Sequence, residues 1–411
     1  MPARYRTLTV TEKRKITKDD IWLKARLLSE GARLQFRQAT NKGSGAVILD
    51  GCELPVTTRQ NKYSSLEVVF DNGHVTISDQ GEVLGTGSAP TRWSHDERGY
   101  KKASSAAGSD LLPISVHFRC HNHDSGKGCM YCEKTIGNKQ VPSGQALSDA
   151  IAKSTATAIQ AVSKGWRGCL MMTGGVLPPW RRDRLIDRLE AVMEQLHESL
   201  DDDVLSQLQI TPNVYPPDDL SELHKWKQLG INSTSFDLEV MDPAFWRAIC
   251  PGKAETTTHE HWIEASAASA EIFGRGRGAM AAVVLGVEPM STFMKGFEDL
   301  VSRGVFPTPY FFLPPRRKLG FHGFRPPTAD WLVEATEEMA DILFDYADTF
   351  DVNLLMDDRP GLTRVGRSFN NILVCDEMTR RLQEMGRIPP GLPPSHIYEP
   401  TRFAEQEEPS G

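Results

Sequence analysis

The segment His117-Phe118-Arg119-Cys120-His121-Asn122-His123-Asp124-Ser125-Gly126-Lys127-Gly128-Cys129-Met130-Tyr131-Cys132 carries three of the chain's seven cysteines. Just before it, Ile114 to Phe118 alternates apolar with polar residues, the period of a β-strand. The strand then runs into a polar loop that contains Gly126 and Gly128. Parallel α/β folds present their chemistry at strand carboxyl ends and on the loops that follow. Three thiols in one such loop can converge on a soft metal centre. Three readings are open at this point. The cysteines are unrelated buried thiols, which a polar loop makes a poor setting for. They form a zinc site that His121 or His123 completes. Or they hold an iron–sulfur cluster through three thiolates.

Outward from this loop the texture is strand, loop, helix, repeated. Leu147, Ile151, Ala158 and Val162 have helical spacing, and Cys169 to Thr173 is a short apolar run ending in Gly174-Gly175. Leu185, Ile186, Leu189, Val192, Met193 and Leu196 make a 3.6-period stripe. Strands are expected at Leu208 to Thr211, Ser233 to Val240, Ala281 to Gly286 and Thr308 to Leu313. Helices are expected at Leu220 to Leu229, Trp262 to Phe273 and Phe293 to Val301. Six strands, each followed by helical texture, predict an α/β fold: a partial (β/α)6 TIM-like barrel rather than a complete eight-unit one.

The two ends read differently. In residues 1–108, Leu66 to Phe70 and His74 to Ile77 flank Asp71-Asn72-Gly73, a hairpin signal. A second short turn stands at Asp79-Gln80-Gly81. This region is expected to be β-rich, with a small-residue connector from Ser88 to Asp110. Residues 326–356 read as a long amphipathic helix, followed by an irregular stretch with one helix near Asp376 to Glu384 and a Pro-rich tail. The expected division is therefore an N-terminal β-rich region 1–108, a barrel 109–325 and a C-terminal helical extension 326–411.

Composition narrows the function classes. Hydrophobic residues are 39% and charged residues 25% of 411, as in ordinary globular chains, so disorder and coiled coil are excluded. No stretch approaches the ~20 apolar residues of a bilayer span, and the N-terminus lacks the apolar core of a secretory signal. A cytoplasmic protein without disulfides is expected. The formal net charge of −7 and the lack of a basic tract give no electrostatic case for nucleic acid.

The cysteine loop resembles that of the radical S-adenosylmethionine superfamily, in which three cysteines follow the first strand of a partial (β/α) barrel. The spacing here is Cys-x8-Cys-x2-Cys, with a longer first gap than the commonest form, and Tyr131 matches the aromatic residue before the last cysteine. Met172-Thr173-Gly174-Gly175 resembles the superfamily's Gly-Gly turn, with Val176 where an acidic residue is usual. Ser235-Phe236-Asp237-Leu238-Glu239 and Val283-Val284-Leu285-Gly286-Val287-Glu288 resemble the fourth- and fifth-strand motifs of biotin-synthase-like members.

The resemblance implies that Cys120, Cys129 and Cys132 hold a [4Fe–4S] cluster. Its remaining iron would bind S-adenosylmethionine, whose reductive cleavage yields a 5′-deoxyadenosyl radical that takes hydrogen from a small-molecule substrate. Thr173, Gly174 and Gly175 would then bind the methionine amino group, Glu239 or Asp237 the ribose, and Val284, Gly286 and Glu288 the adenine side. Tyr131 would join the cofactor site. An electron donor such as flavodoxin or ferredoxin is implied, and a cofactor or natural-product pathway is expected. No segment resembles a cobalamin module, and the other cysteines form no second tight set. Asn213, Tyr215 and the basic stretch Arg316-Arg317-Lys318 follow strand ends and can face substrate. Cys250 reads as a buried structural thiol or a reactive one. The alternative from another class is a non-enzymatic zinc-binding or iron–sulfur scaffold protein.

Overall fold

The computed structural model describes residues 13–38, 46–89, 111–132, 143–164, 166, 168–313, 325–348 and 372–391. Helix α1 (Lys18–Ser29) opens with a capping box: the Thr17 hydroxyl accepts from the Asp20 amide, and the Asp20 carboxylate accepts from the Thr17 amide. Six strands follow: β1 (Arg33–Gln38), β2 (Ala46–Leu49), β3 (Pro55–Thr57), β4 (Leu66–Asp71), β5 (His74–Asp79) and β6 (Glu82–Ser88). They pair in the order β1-β4-β5-β6-β2-β3, antiparallel except for β1 beside β4. Leu66, Val68 and Phe70 alternate inward on β4, so one face of this sheet is apolar. The β4–β5 hairpin turns on Asn72 and Gly73, both at positive φ (+49° and +83°), as the Asn-Gly pair predicts.

The second sheet carries the repeating texture. Its elements run β7 (Leu111–Ser115), α2 (His121–Asp124), α3 (Gln145–Ser163), β8 (Cys169–Thr173), α4 (Arg184–Ser199), α5 (Asp202–Leu205), β9 (Gln209–Asn213) and α6 (Glu222–Gln228). They continue β10 (Thr234–Ser235), α7 (Pro243–Ile249), α8 (Pro251–Thr256), α9 (His259–Phe273), β11 (Gly276–Leu285), α10 (Met290–Ser302) and β12 (Val305–Phe311). All six strands are parallel and lie in chain order, with β7 and β12 at the edges. Pro113, Pro307 and Pro309 fall on those edge strands, where a missing amide is tolerated. Buried stripes such as Leu189, Val192, Met193 and Leu196 on α4 cover the sheet. The expected α/β class with six strand–helix units is what the structure has.

Two expectations shift. The first parallel strand ends at Ser115 rather than Phe118, because Leu111 to Ser115 pair in register with Cys169 to Thr173 and the ladder closes with the Val116 amide on the Thr173 carbonyl. The fourth is two residues long rather than eight: after the Phe236 amide donates to the Met280 carbonyl at 3.0 Å the backbone leaves the ladder, and it meets β11 again where Glu239 faces Val283. Glu239 has φ = +79°, a left-handed conformation that interrupts a strand.

Helix α11 (Ala329–Asp345) occupies part of the expected long helix, capped by the Thr328 hydroxyl on the Trp331 amide. Helix α12 (Leu373–Glu384) follows. Both pack on α1. The Lys24 ammonium, fully buried, pairs with the Asp376 carboxylate at 2.8 Å. The Ile16 amide donates to Gln383 Oε1 at 2.8 Å, and the Trp22 indole donates to Asp330 at 2.7 Å. The connector of residues 90–110, Arg316-Arg317-Lys318, and the tail from residue 392 lie outside the described residues.

Candidate functional site

The cysteine loop lies at the carboxyl edge of the parallel sheet. Cys120 immediately precedes α2, and the His121 amide donates to the Val176 carbonyl at 2.8 Å, tying the loop to the turn after β8. Gly175 makes that approach possible. A Cβ there would stand 2.2 Å from the Arg119 carbonyl oxygen and 2.6 Å from Cys120 Cα, closer than any side chain permits. At Gly174 it would meet His117 Cβ at 2.9 Å. Thr173, the last residue of β8, accepts from the Val116 amide at 2.9 Å through its carbonyl. The expected Gly-Gly turn and the thiol loop are therefore in contact.

The other half of the loop docks on the junction of α7 and α8. The Met130 amide donates to the Ile249 carbonyl at 2.9 Å, and the Gly252 amide to the Lys127 carbonyl at 3.0 Å. The Cys132 amide returns to the Cys129 carbonyl at 3.1 Å, so these two cysteines share one tight turn. Cys120, Cys129 and Cys132 are all half-buried, and none of the seven cysteines is in a disulfide. Among the described residues, no three His, Cys, Asp or Glu side chains converge closely enough to grip a single metal ion.

Beneath the loop lies a buried polar group. The Tyr131 hydroxyl donates to Glu239 Oε2 at 2.6 Å, and Lys253 Nζ donates to Glu239 Oε1 at 2.9 Å. Lys253 also donates to the Asp237 carbonyl and sits 4.1 Å above the Trp262 ring. Burial disfavours the Lys253 charge. Glu239, Cys129, Cys250 and Asp237 outweigh it and raise the ammonium pKa above the ordinary lysine value. Cys250 is fully buried beside this group, 3.9 Å from the Tyr131 hydroxyl. Its hydrogen bond to the Cys129 thiol, together with burial, raises the Cys129 pKa. Burial and the Glu239 charge do the same to Tyr131.

The remaining expected residues divide. Asp237, half-buried, accepts from Asn213 Nδ2 at 2.7 Å, so the ends of β9 and β10 present a carboxylate together. Glu288 is buried, and its two oxygens accept the Met241 and Asp242 amides, each at 2.8 Å. Its carboxylate thereby holds the entry to α7, where Asp242 caps the helix as its Asp-Pro sequence predicts. Gly286 has φ = +94° and packs on Pro327, where a Cβ would approach Cγ to 2.3 Å. Val284 packs with Phe312 against Met130 and Tyr131, so the ends of β11 and β12 support the loop.

Sequence reasoning notices Cys250 and passes over its neighbour Lys253, because a lysine near a helix start reads as solvated. It also misses Arg182. That guanidinium lies over the Tyr215 ring at 4.0 Å, beside a cavity of about 360 Å³ that Gly174, Gly175 and His117 border. Tyr215 meets Trp262 edge-on at 5.2 Å, so a run of stacked groups connects Lys253 to Arg182.

A parallel α/β sheet with thiols, a buried ion pair and a cavity at its carboxyl edge has the build of an enzyme of this fold class. No family model matches the sequence. The bacteriochlorophyllide c C-7(1)-hydroxylase of Chlorobaculum limnaeum is 39% identical over 404 residues, covering 93% of this chain and 100% of that protein. The chain belongs to the family of that hydroxylase, and so to a family with a biosynthetic enzyme in it. Among the described residues, no helix is long and apolar enough to cross a membrane.

Proposed function

We propose that this chain is a radical S-adenosylmethionine enzyme that oxidises a peripheral carbon of a planar tetrapyrrole acid of the chlorophyllide kind. The observation that carries this reading is the contact between the Cys120 loop and the Gly174-Gly175 turn, at the carboxyl edge of six parallel strands in chain order. In this reading those strands are the open (β/α)6 barrel. The 39% identity to a bacteriochlorophyllide c hydroxylase supports the substrate class.

The donor set suits an iron–sulfur cluster: three half-buried thiols on one loop, beside glycines that leave room. Cys120, Cys129 and Cys132 would hold it. When bound, such a cluster supplies the electron that cleaves S-adenosylmethionine and so makes a carbon radical able to take hydrogen from a methyl group. The chain's own part is binding and orientation. Thr173, Gly174 and Gly175 offer carbonyls to the methionine amino group. Both Glu239 oxygens already receive Lys253 and Tyr131. The ribose role therefore passes to Asp237, which Asn213 orients. Glu239 instead keeps Tyr131 and the loop in place. Val284 and Gly286 line the adenine side, and Glu288 holds the backbone beside it.

The test is anaerobic reconstitution with iron and sulfide, then reduction in the presence of S-adenosylmethionine and a chlorin acid. About four irons per chain, release of 5′-deoxyadenosine with methionine, and a chlorin heavier by one oxygen are expected, the oxygen coming from water and S-adenosylmethionine serving as the two-electron oxidant. A colourless protein holding one zinc, or an iron-loaded one that leaves S-adenosylmethionine intact, overturns the reading.

A further inference from the structure

Arg182 presents a half-used fork. Nη1 donates to Asp218 at 2.8 Å, while Nε and Nη2 are buried with no hydrogen-bond partner among the described residues. The side chain is only 12% exposed. Buried guanidinium donors left unpaired are costly, so a ligand that supplies two acceptors gains by entering. Nε and Nη2 together match the two oxygens of a carboxylate.

The surroundings suit a planar ligand. Tyr215 backs the guanidinium at 4.0 Å, and Trp180, 73% exposed, stands at the rim with its ring against His121. An exposed indole beside a cavity offers a face for stacking. Asp183 and Asp219 also border the cavity but lie on its exposed rim, where water screens them, and Asp218, likewise exposed, takes up Nη1 and leaves Nε and Nη2 to a ligand. Glu222, half-buried there, has its carboxyl pushed up by burial and by Asp219 and Asp218, against the pull of Lys225, which eases its neutralisation. The inner wall therefore offers a buried cation and rings. At about 360 Å³ the cavity is near the small end of ligand pockets. It holds one edge of a large ligand, and Gly174 and Gly175 form the wall that also meets the cysteine loop.

We propose that this cavity binds the carboxylate side chain of the substrate through Arg182 Nε and Nη2, with the adjoining ring edge against Trp180. Arg182 is then the residue that selects the acid over its ester and fixes which edge of the macrocycle faces the thiol loop. This assignment rests on the tetrapyrrole reading above.

The experiment measures binding of a chlorin with one propionic acid group, and of its methyl ester, to the full-length protein by fluorescence quenching. The wild type should hold the acid about tenfold or more tighter than the ester, as for a charge-assisted pair. R182Q should lose that preference by weakening the acid alone. R182K, which keeps a charge for Asp218 but not the fork, should lose most of it, and unchanged ester binding reports an intact fold. Equal affinity of the wild type for acid and ester overturns the inference while the tetrapyrrole reading stands. So does a preference that survives in R182Q. Failure of both chlorins to bind removes the tetrapyrrole reading and this assignment with it.

Discussion

Lys253 Nζ lies 2.9 Å from Glu239 Oε1, with only 7% and 17% of the two side chains exposed. The pair joins α8 to the segment after β10 directly under the cysteine loop. It also holds Glu239 in its left-handed conformation, together with bonds from the Glu239 amide to Ala282 at 2.8 Å and from the Val284 amide to Glu239 at 2.7 Å. A strained residue persists only where its surroundings fix it this firmly.

Removing either partner strands the other charge in a dry site. K253M and E239Q should each destabilise the protein by about 3 kcal/mol in urea unfolding. The double variant should lose clearly less than their sum, because both charges leave together. Strict additivity would show that the two groups do not depend on each other.

The thiol assignments separate by iron content. C120A, C129A and C132A should each fail to retain iron after reconstitution. C52A, C169A and C375A should match the wild type, since those thiols are buried. C250A should also retain iron, losing hydrogen bonds to Cys129 and Tyr131 but no ligand. Loss of iron in C250A equal to that in C129A would make Cys250 a fourth ligand.

Gly175 tests the contact between turn and loop. G175A places a methyl 2.2 Å from the Arg119 carbonyl oxygen, so the loop must move. Overpacking of this kind costs about 1–3 kcal/mol. The informative result is lower iron retention in a variant whose circular dichroism is native. Iron retention equal to wild type would mean that the loop does not need this approach.

Asp20 carries a pH dependence. Burial opposes its charge, but hydrogen bonds from Arg14 at 2.6 and 2.7 Å and from Thr17 prevail, and its pKa lies below the ordinary value of 3.8. A depressed carboxyl contributes stability that is present above pH 3.8 and lost as pH falls below it. D20N should therefore cost about 1–3 kcal/mol at pH 7 and much less near pH 3. An equal deficit at both pH values would trace the loss to packing instead.

Much of the site is legible in the sequence because each motif sits at a strand end. Once Cys169 to Thr173 is read as the strand beside β7, Gly175 and Cys120 must be neighbours, and they are. The hairpin at Asn72-Gly73 and the cap at Asp242 are equally local and equally readable. The short fourth strand is not. Glu239 favours positive φ no more than any other residue with a Cβ, and only the pairing with Lys253 and β11 holds it there. The paired oxygens of Glu239 and Glu288 are invisible for the same reason: a carboxylate near a strand end looks alike whether it faces a ligand or a backbone amide. Arg182 lies in a charged run, Arg181 to Arg184, that reads as solvent-facing.

The packing of α1 on α12 bears on how the molecule is made. The Ile16 amide waits for a side chain 367 residues later. At ~5–20 residues per second, synthesis separates the two by roughly 20–70 s. Through that interval Lys24 has no Asp376 and must stay hydrated, so α1 cannot close over its final position. Helix α1 is thus made long before it can settle, and the apolar face of the strands beside it stays open to chaperones until α12 has been synthesised.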